Sequence, residues 1–261
     1  MYSRSVKIVL SLIATLAFML PALSAAQESP PPLTEMWVLV PKADQYDEFL
    51  EGMSKHMAFR AEQGDPRRWE AYTPMLGDDL NRVAVRYCCF RWADQDEYAA
   101  WGKNTKQVGE HFGEHVAPHV EKYEHYFETI DWPNSHWKAE HGPYKYFAVT
   151  NFHLKAGKAA QFDAARDEMS QIAINQGWAN DDHVWIWTST IGGKPQESIV
   201  IPHKNFADMD RDEKGFIAFL SEHMGSPDAA RDLMTRFSEA TWGSDFQIWV
   251  LEDGLSMGGE D

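Results

Sequence analysis

The stretch Glu110-His111-Phe112-Gly113-Glu114-His115-Val116-Ala117-Pro118-His119 concentrates side chains that could do chemistry. On a helix, histidines four residues apart advance about 40° per step, so His111, His115 and His119 would share a face. That is the spacing with which imidazoles hold a divalent metal or present a ligand to haem iron. His111 to His115 also matches H-x-x-E-H, in which two histidines bind zinc and the glutamate activates water, but the surrounding sequence of such peptidases is missing. Gly109, Gly113 and Pro118 weaken a helix here, and Pro118 leaves the carbonyl of Glu114 without its hydrogen bond. The competing reading is a solvated histidine face balanced by Glu110, Glu114 and Glu121.

A second set of candidates is aromatic. Tyr87 and Cys89 alternate onto one face of the apolar run Val83 to Phe90, and His183, Trp185 and Trp187 onto one face of another. Such rings either fill a core or line a pocket for a planar, apolar ligand. The candidates for chemistry are therefore His111, His115, Tyr87 and Trp92, and those for ligand contact are Trp101, His183, Trp185 and Trp187. Acid pairs such as Asp78-Asp79 and Asp181-Asp182 fall in turns, where they act as caps. The chain has no G-x-S-x-G elbow, Gly-rich phosphate loop or C-x-x-C pair.

These residues need elements to position them, and the pattern predicts the same series twice. The first runs strand Met36 to Val40, helix Ala43 to Glu62, strands Trp69 to Met75 and Arg82 to Phe90, a long helix Gln95 to Lys122, and strand His125 to Trp132. The second runs strand Lys145 to Leu154, helix Lys158 to Gln176, strands Val184 to Thr190 and Glu197 to Pro202, helix Asp208 to Ala240 broken at Gly225-Ser226-Pro227, and strand Asp245 to Leu251. Lys42-Ala43 precedes Gln63-Gly64 by the same interval as Lys155-Ala156 precedes Gln176-Gly177, and Phe49 and Phe162 occupy matching places between them. This points to duplication of a ferredoxin-like βαββαβ unit, over 35–133 and 144–253, with a turn-rich linker at 134–143. Val38-Leu39-Val40 and Ile199-Val200-Ile201 are apolar at successive positions, as in sheets covered on both faces.

With this element order and the stretch Trp92-Ala93-Asp94-Gln95-Asp96-Glu97-Tyr98, the chain resembles the dimeric α/β-barrel superfamily. The resemblance implies an α+β fold in which two tandem ferredoxin-like units pack their sheets within one polypeptide. It also implies a choice of chemistries: cofactor-independent monooxygenases for aromatic polyketides, haem-degrading monooxygenases, chlorite dismutase-like haem proteins, isomerases and stress proteins. The expected activity is binding of a small apolar or aromatic molecule, with monooxygenase or isomerase chemistry and no cofactor. The alternatives are haem or a divalent metal held by helix histidines, and a non-catalytic interaction module.

Composition limits the partners. The 261 residues carry 24 Lys+Arg against 40 Asp+Glu, a formal charge of −16, which disfavours nucleic acid and anionic membrane surfaces. Arg4 and Lys7, the apolar run Ile8 to Leu20 and the small residues through Ala26 read as a signal peptide over 1–26, too short an apolar run for a stable membrane anchor. Its removal leaves 22 basic against 40 acidic residues, −18, in a periplasmic or secreted protein. A Pro-rich leader, 27–34, and a flexible tail, 254–261, flank the two units, and a homodimer is compatible with the reading. Cys88 and Cys89 are the only cysteines. As strand neighbours they point to opposite faces, so two free, buried thiols are expected.

Overall fold

The computed structural model describes residues 29–137, 142–210 and 214–258. The predicted signal peptide lies outside them. Fourteen longer elements follow in the order β1 (Leu33–Pro41), α1 (Tyr46–Glu62), β2 (Glu70–Leu76), β3 (Val83–Phe90), α2 (Trp92–Asn104), α3 (Lys106–His115), β4 (Val120–Ile130), β5 (Tyr146–Leu154), α4 (Ala159–Asn175), β6 (Ile186–Ile191), β7 (Glu197–His203), α5 (Phe216–His223), α6 (Pro227–Glu239) and β8 (Thr241–Leu251). The eight strands close into one antiparallel barrel in the order β1-β3-β2-β8-β5-β7-β6-β4. Among the described residues each strand thus has a hydrogen-bonded neighbour on both sides.

Alternation along the strands sorts side chains between the barrel interior and the helices packed outside. In β1, Met36 and Val38 face inward to join Tyr72, Ala84, Tyr126, Phe147, Trp249 and Leu251, while Trp37 and Leu39 face the helices. Two further cores form between sheet and helices. One gathers Leu39, Phe49, Met53, Met57, Trp69, Val83, Val85 and Val116, and the other Phe162, Met169, Trp185, Trp187, Leu220, Leu233 and Phe237. In the second, aromatic rings occupy the space between helix and sheet: Phe162 and Phe237 centroids lie 4.6 Å apart, and Phe152 and Phe237 5.0 Å.

The long helix predicted over 95–122 is instead two helices. It breaks at Thr105, ends at His115, and gives way to β4 from Val120. Pro118 lies in a short turn, consistent with its inability to continue the backbone ladder. The end of α3 is fixed by a close crossing: a Cβ on Gly52 of α1 would stand 2.0 Å from the carbonyl oxygen of His115. Only glycine fits there. The second predicted helix, 208–240, begins later, at Phe216, and breaks at Gly225 as expected.

Two further expectations change. Cys88 and Cys89 are not two free, buried thiols: both are half-buried, and they are joined to one another. Residues 254–258 are not a loose tail. Met257 is buried in the first helix-side core, and its N–H donates to the carbonyl of Trp69 at 2.7 Å.

Candidate functional site

A cavity of about 410 Å³ opens between the outer face of β1, β3 and β4, with Trp69 just ahead of β2, and the helices α1, α2 and α3. Its walls are mostly apolar, with Trp37, Trp69, Trp101, Met53, Met57 and Phe112 prominent, and its polar end is formed by His56, Arg60, Tyr98 and Glu35. Local sequence explains the assembly. Phe49, Met53, His56, Met57 and Arg60 recur at helical spacing along α1, so one face carries both the apolar wall and the polar end. Glu35, Trp37 and Leu39 come from the helix-facing side of β1, where the register sets Trp37 opposite His125 of β4.

The polar end is a closed network around two arginines. Asp65 accepts from Arg60 Nε at 2.7 Å, from Tyr98 Oη at 3.2 Å, from Trp69 Nε1 at 3.3 Å and from the Arg67 backbone at 3.0 Å. Arg60 also donates to Tyr98 and is flanked by Trp69 and Trp101, its guanidinium carbon 5.5 and 5.8 Å from their centroids. Arg67 is buried, ion-paired with Glu35, and lies over the Tyr98 ring at 3.7 Å. Glu35 accepts in addition from Trp37 Nε1 at 3.1 Å and pairs with His125 Nε2 at 2.8 Å, His125 being stacked on Trp37 at 3.8 Å. A buried ion pair is stable only when its remaining hydrogen-bonding positions are filled, and here they are. Two arginines against two carboxylates make this end formally neutral. Burial pushes the Tyr98 hydroxyl up to about 12, partly offset by Arg60, so it stays a phenol.

His56, in the cavity wall, is buried, 2% exposed. Desolvation first, then the charges of Arg60, His111 and His115, hold its imidazole down at about 3, so the ring is neutral at physiological pH. Nε2 lies 3.4 Å from Arg60 Nη1 and Nδ1 lies 3.3 Å from His111 Nδ1.

Of the residues singled out from sequence, Trp101 lines this cavity and His111 lies directly behind it, against His56. His115 lines a separate surface recess of about 170 Å³ with Glu48, Glu51 and Lys55. His119 is not aligned with the other two histidines: it has left the helix, and its Nδ1 meets Gln45 Oε1 at 3.0 Å. The expected histidine triad is thus not formed, and among the described residues no group of three His, Cys, Asp or Glu side chains is arranged to hold a metal. Tyr87 stands behind the wall, 5.8 Å from Trp69. Trp92 is 58% exposed and packs edge-on against Phe127, outside the cavity. Trp185 and Trp187 are buried in the other core, and His183 stacks on Trp178 at 4.0 Å, so these three do not meet the site. Sequence reasoning missed His56, Arg60, Arg67, Glu35 and His125. His56 falls within the apolar stripe of α1, seven residues after Phe49, which was a usable signal; Glu35, Arg67 and His125 gave none.

No protein-family model matches the sequence, and no curated protein matches it. Solved structures do. The chain is similar to a candidate monooxygenase from Lactobacillus acidophilus at 8% identity and a TM-score of 0.51, over 85% of this chain and 94% of that one. It is similar to a candidate monooxygenase from Fusobacterium nucleatum at 10% identity and a TM-score of 0.51, over 85% and 93%. A mutant chlorite dismutase from Candidatus Nitrospira defluvii, solved in complex with cyanide, matches at 11% identity and a TM-score of 0.50, over 87% and 93%. At such identities the likeness is one of fold. The shared architecture is a mixed α+β fold, here an eight-stranded closed barrel with helices packed outside it.

Proposed function

We propose that this protein binds a small, neutral, largely apolar aromatic molecule in the cavity between the barrel's outer face and α1–α3, and that it acts on it by cofactor-independent monooxygenase or isomerase chemistry. The observation that carries the reading is the cavity itself: three tryptophans and two methionines around a formally neutral polar end, with Arg60 able to donate to a carbonyl or hydroxyl oxygen. The names of the similar monooxygenase structures support the same class of chemistry. On this reading the chain is a fused pair of ferredoxin-like units, 35–133 and 144–253, with one site per chain. It works outside the cytoplasm, periplasmic or secreted, after loss of residues 1–26, and has no nucleic-acid partner; a homodimer remains compatible. Among the described residues no helix is long and apolar enough to cross a membrane.

Haem fits the cavity poorly. An axial imidazole must offer a free nitrogen, and both ring nitrogens of His56 face protein partners, while His111 and His115 lie outside the lining. No step is assigned to it, and an absorption spectrum of the freshly isolated protein would show a Soret band if that assignment were wrong.

Titration calorimetry with naphthol tests the binding site. Saturable binding is expected, weakened roughly tenfold or more in Trp101→Ala, since an aromatic contact in a desolvated pocket is worth about 1.5 kcal/mol beyond its area. Absence of saturable binding, or equal affinity in the variant, would remove the cavity as the site.

A further inference from the structure

We propose that the first half of β8, residues 241–246, is a docking edge for a second copy of this chain, the two β8 strands pairing antiparallel about a two-fold axis centred on Ser244. The cavity and its ligand play no part in it.

The barrel closes with its strands staggered, and β8 outruns one of its neighbours. β2 pairs with β8 only at Ile248, Trp249, Val250 and Leu251, whereas β5 follows β8 back to Thr241. The chain leaves β8 at Gly77, where a Cβ would stand 2.9 Å from the Phe246 carbonyl oxygen. Among the described residues, 241–245 therefore have a strand on one side only. Backbone direction alternates along β8: the Leu251 N–H donates to the Lys145 carbonyl on the β5 side, and the Glu252 N–H, one residue on, to the Ala71 carbonyl of β2. Counted back from Glu252, Phe246 and Ser244 turn their backbone groups toward the open side.

Free strand edges are commonly blunted by charge. The stretch of β4 that extends beyond its pairing with β6 follows that rule, carrying Glu121, Lys122 and Glu124, the last two ion-paired. The free stretch of β8 does not. Its one ionisable group, Asp245, is engaged by Asn151 Nδ2 at 2.7 Å and His153 Nε2 at 2.8 Å. Trp242 is 70% exposed and Phe246 50%, and Trp242 is held in place by stacking on His153 at 4.8 Å.

The sequence of this edge is complementary to itself. About the proposed axis Ser244 meets the partner's Ser244 and exchanges both backbone hydrogen bonds with it, Trp242 meets the partner's Phe246, and Gly243 meets the partner's Asp245. Two aromatic pairs flank the centre, and no like charges stand opposite one another. Centred one residue later, Asp245 would face its own copy; centred one residue earlier, the aromatic pairs would be lost. A chain of formal charge −16 repels a second copy over most of its surface, so approach favours a stretch as poor in charge as this one. Aromatic side chains offer roughly 150–250 Å² each, so two from each copy, with the backbone between them, make an interface below about 1,200 Å² in total. Interfaces of that size hold reversible complexes, and a micromolar dissociation constant is expected.

Sedimentation velocity of the full chain from about 5 to 500 μM, at low salt, should show a reversible monomer–dimer equilibrium. Ser244→Asp and Ser244→Lys each set like charges opposite one another at the axis, and each should weaken the dimer roughly fivefold. Mixed in equal amounts, the two variants should pair with each other at least as tightly as wild type, because opposite charges then meet. Residue 244 is exposed, so both variants should melt with the wild type, which separates loss of pairing from loss of fold. Wild type that stays monomeric throughout, variants that dimerise as wild type does, or a mixture no tighter than the variants alone would each overturn the proposal.

Discussion

His56 is buried neutral, and that has a cost on acidification that can be worked out and measured. Its ring is held near 3 in the folded protein against 6.5 when exposed, so below pH 6.5 the unfolded chain takes up a proton that the folded chain refuses. The contribution to stability is therefore complete above about pH 7 and is lost as pH falls from 6.5 toward 3. Integrating the linkage, this one group removes about 2 kcal/mol of stability between neutral pH and pH 5, and about 4–5 kcal/mol once pH reaches 3. His56→Met replaces the ring with an apolar side chain of comparable size that does not titrate. Urea unfolding of wild type and His56→Met at pH 7.5, 6 and 5 isolates the term, because the carboxylates common to both cancel. The gap between the two unfolding free energies should shift by about 2 kcal/mol in favour of the variant on going to pH 5. Parallel pH profiles would refute the placement of His56 as a buried, neutral ring.

Gly52→Ala forces a methyl into the His115 carbonyl oxygen, 2.0 Å from the Cβ position, and should cost about 1–3 kcal/mol by prising α1 from α3, read as a lowered urea midpoint. Glu128 is buried in the barrel wall, where desolvation raises its carboxyl above the ordinary range despite Arg86 and Thr188. A raised carboxylate weakens the fold as pH climbs through and above the ordinary range, so that descending slope should be shallower in Glu128→Gln, by thermal melts across pH. Arg166 is buried on α4 among Asp131, Asp163, Asp167 and Glu197, at 3.0 to 3.4 Å. Arg166→Ala leaves those carboxylates unneutralised and should cost about 3–5 kcal/mol in denaturant unfolding; a loss under 1 kcal/mol would show the cluster to be solvated.

Much of the fold was legible because period and turn chemistry agreed. Strands such as Val83 to Phe90, and the break at Gly225-Ser226-Pro227, stand where alternation and glycine placed them. What failed was governed by contacts far apart in sequence. Nothing between 95 and 122 announces that Gly52 of another helix will abut the His115 carbonyl and end α3 there. The site was legible in kind and misplaced in detail for a similar reason. Histidines were judged by spacing along one helix, whereas the pair that meets, His56 and His111, is brought together by packing between α1 and α3. Trp185 and Trp187 were grouped with a ligand because aromatic strands line either a core or a pocket, and only the facing helices decide which. There Phe162 and Phe237 fill the gap.

That difference between the two halves argues that the cavity is maintained rather than incidental. Where α1 carries His56 and Arg60, the aligned positions on α4 are Met169 and Ala173, both buried in a packed core. A buried Phe or Leu contributes about 1.5–3 kcal/mol, so a first half packed like the second, with even two such side chains added, would gain about 3–6 kcal/mol. Against a net stability that for single domains is on the order of 5–15 kcal/mol, that is a large amount to forgo. The residues that keep the space open are also those that would make it useful: Arg60, tied to Asp65 and Tyr98, cannot collapse inward, and Arg67 with Glu35 fixes the floor beneath it. A chain under selection for stability alone would have filled this half as it filled the other. The polar end, though it adds no apolar burial, is built from groups that satisfy one another: Asp65 with Arg60 and Tyr98, and Glu35 with Arg67 and His125.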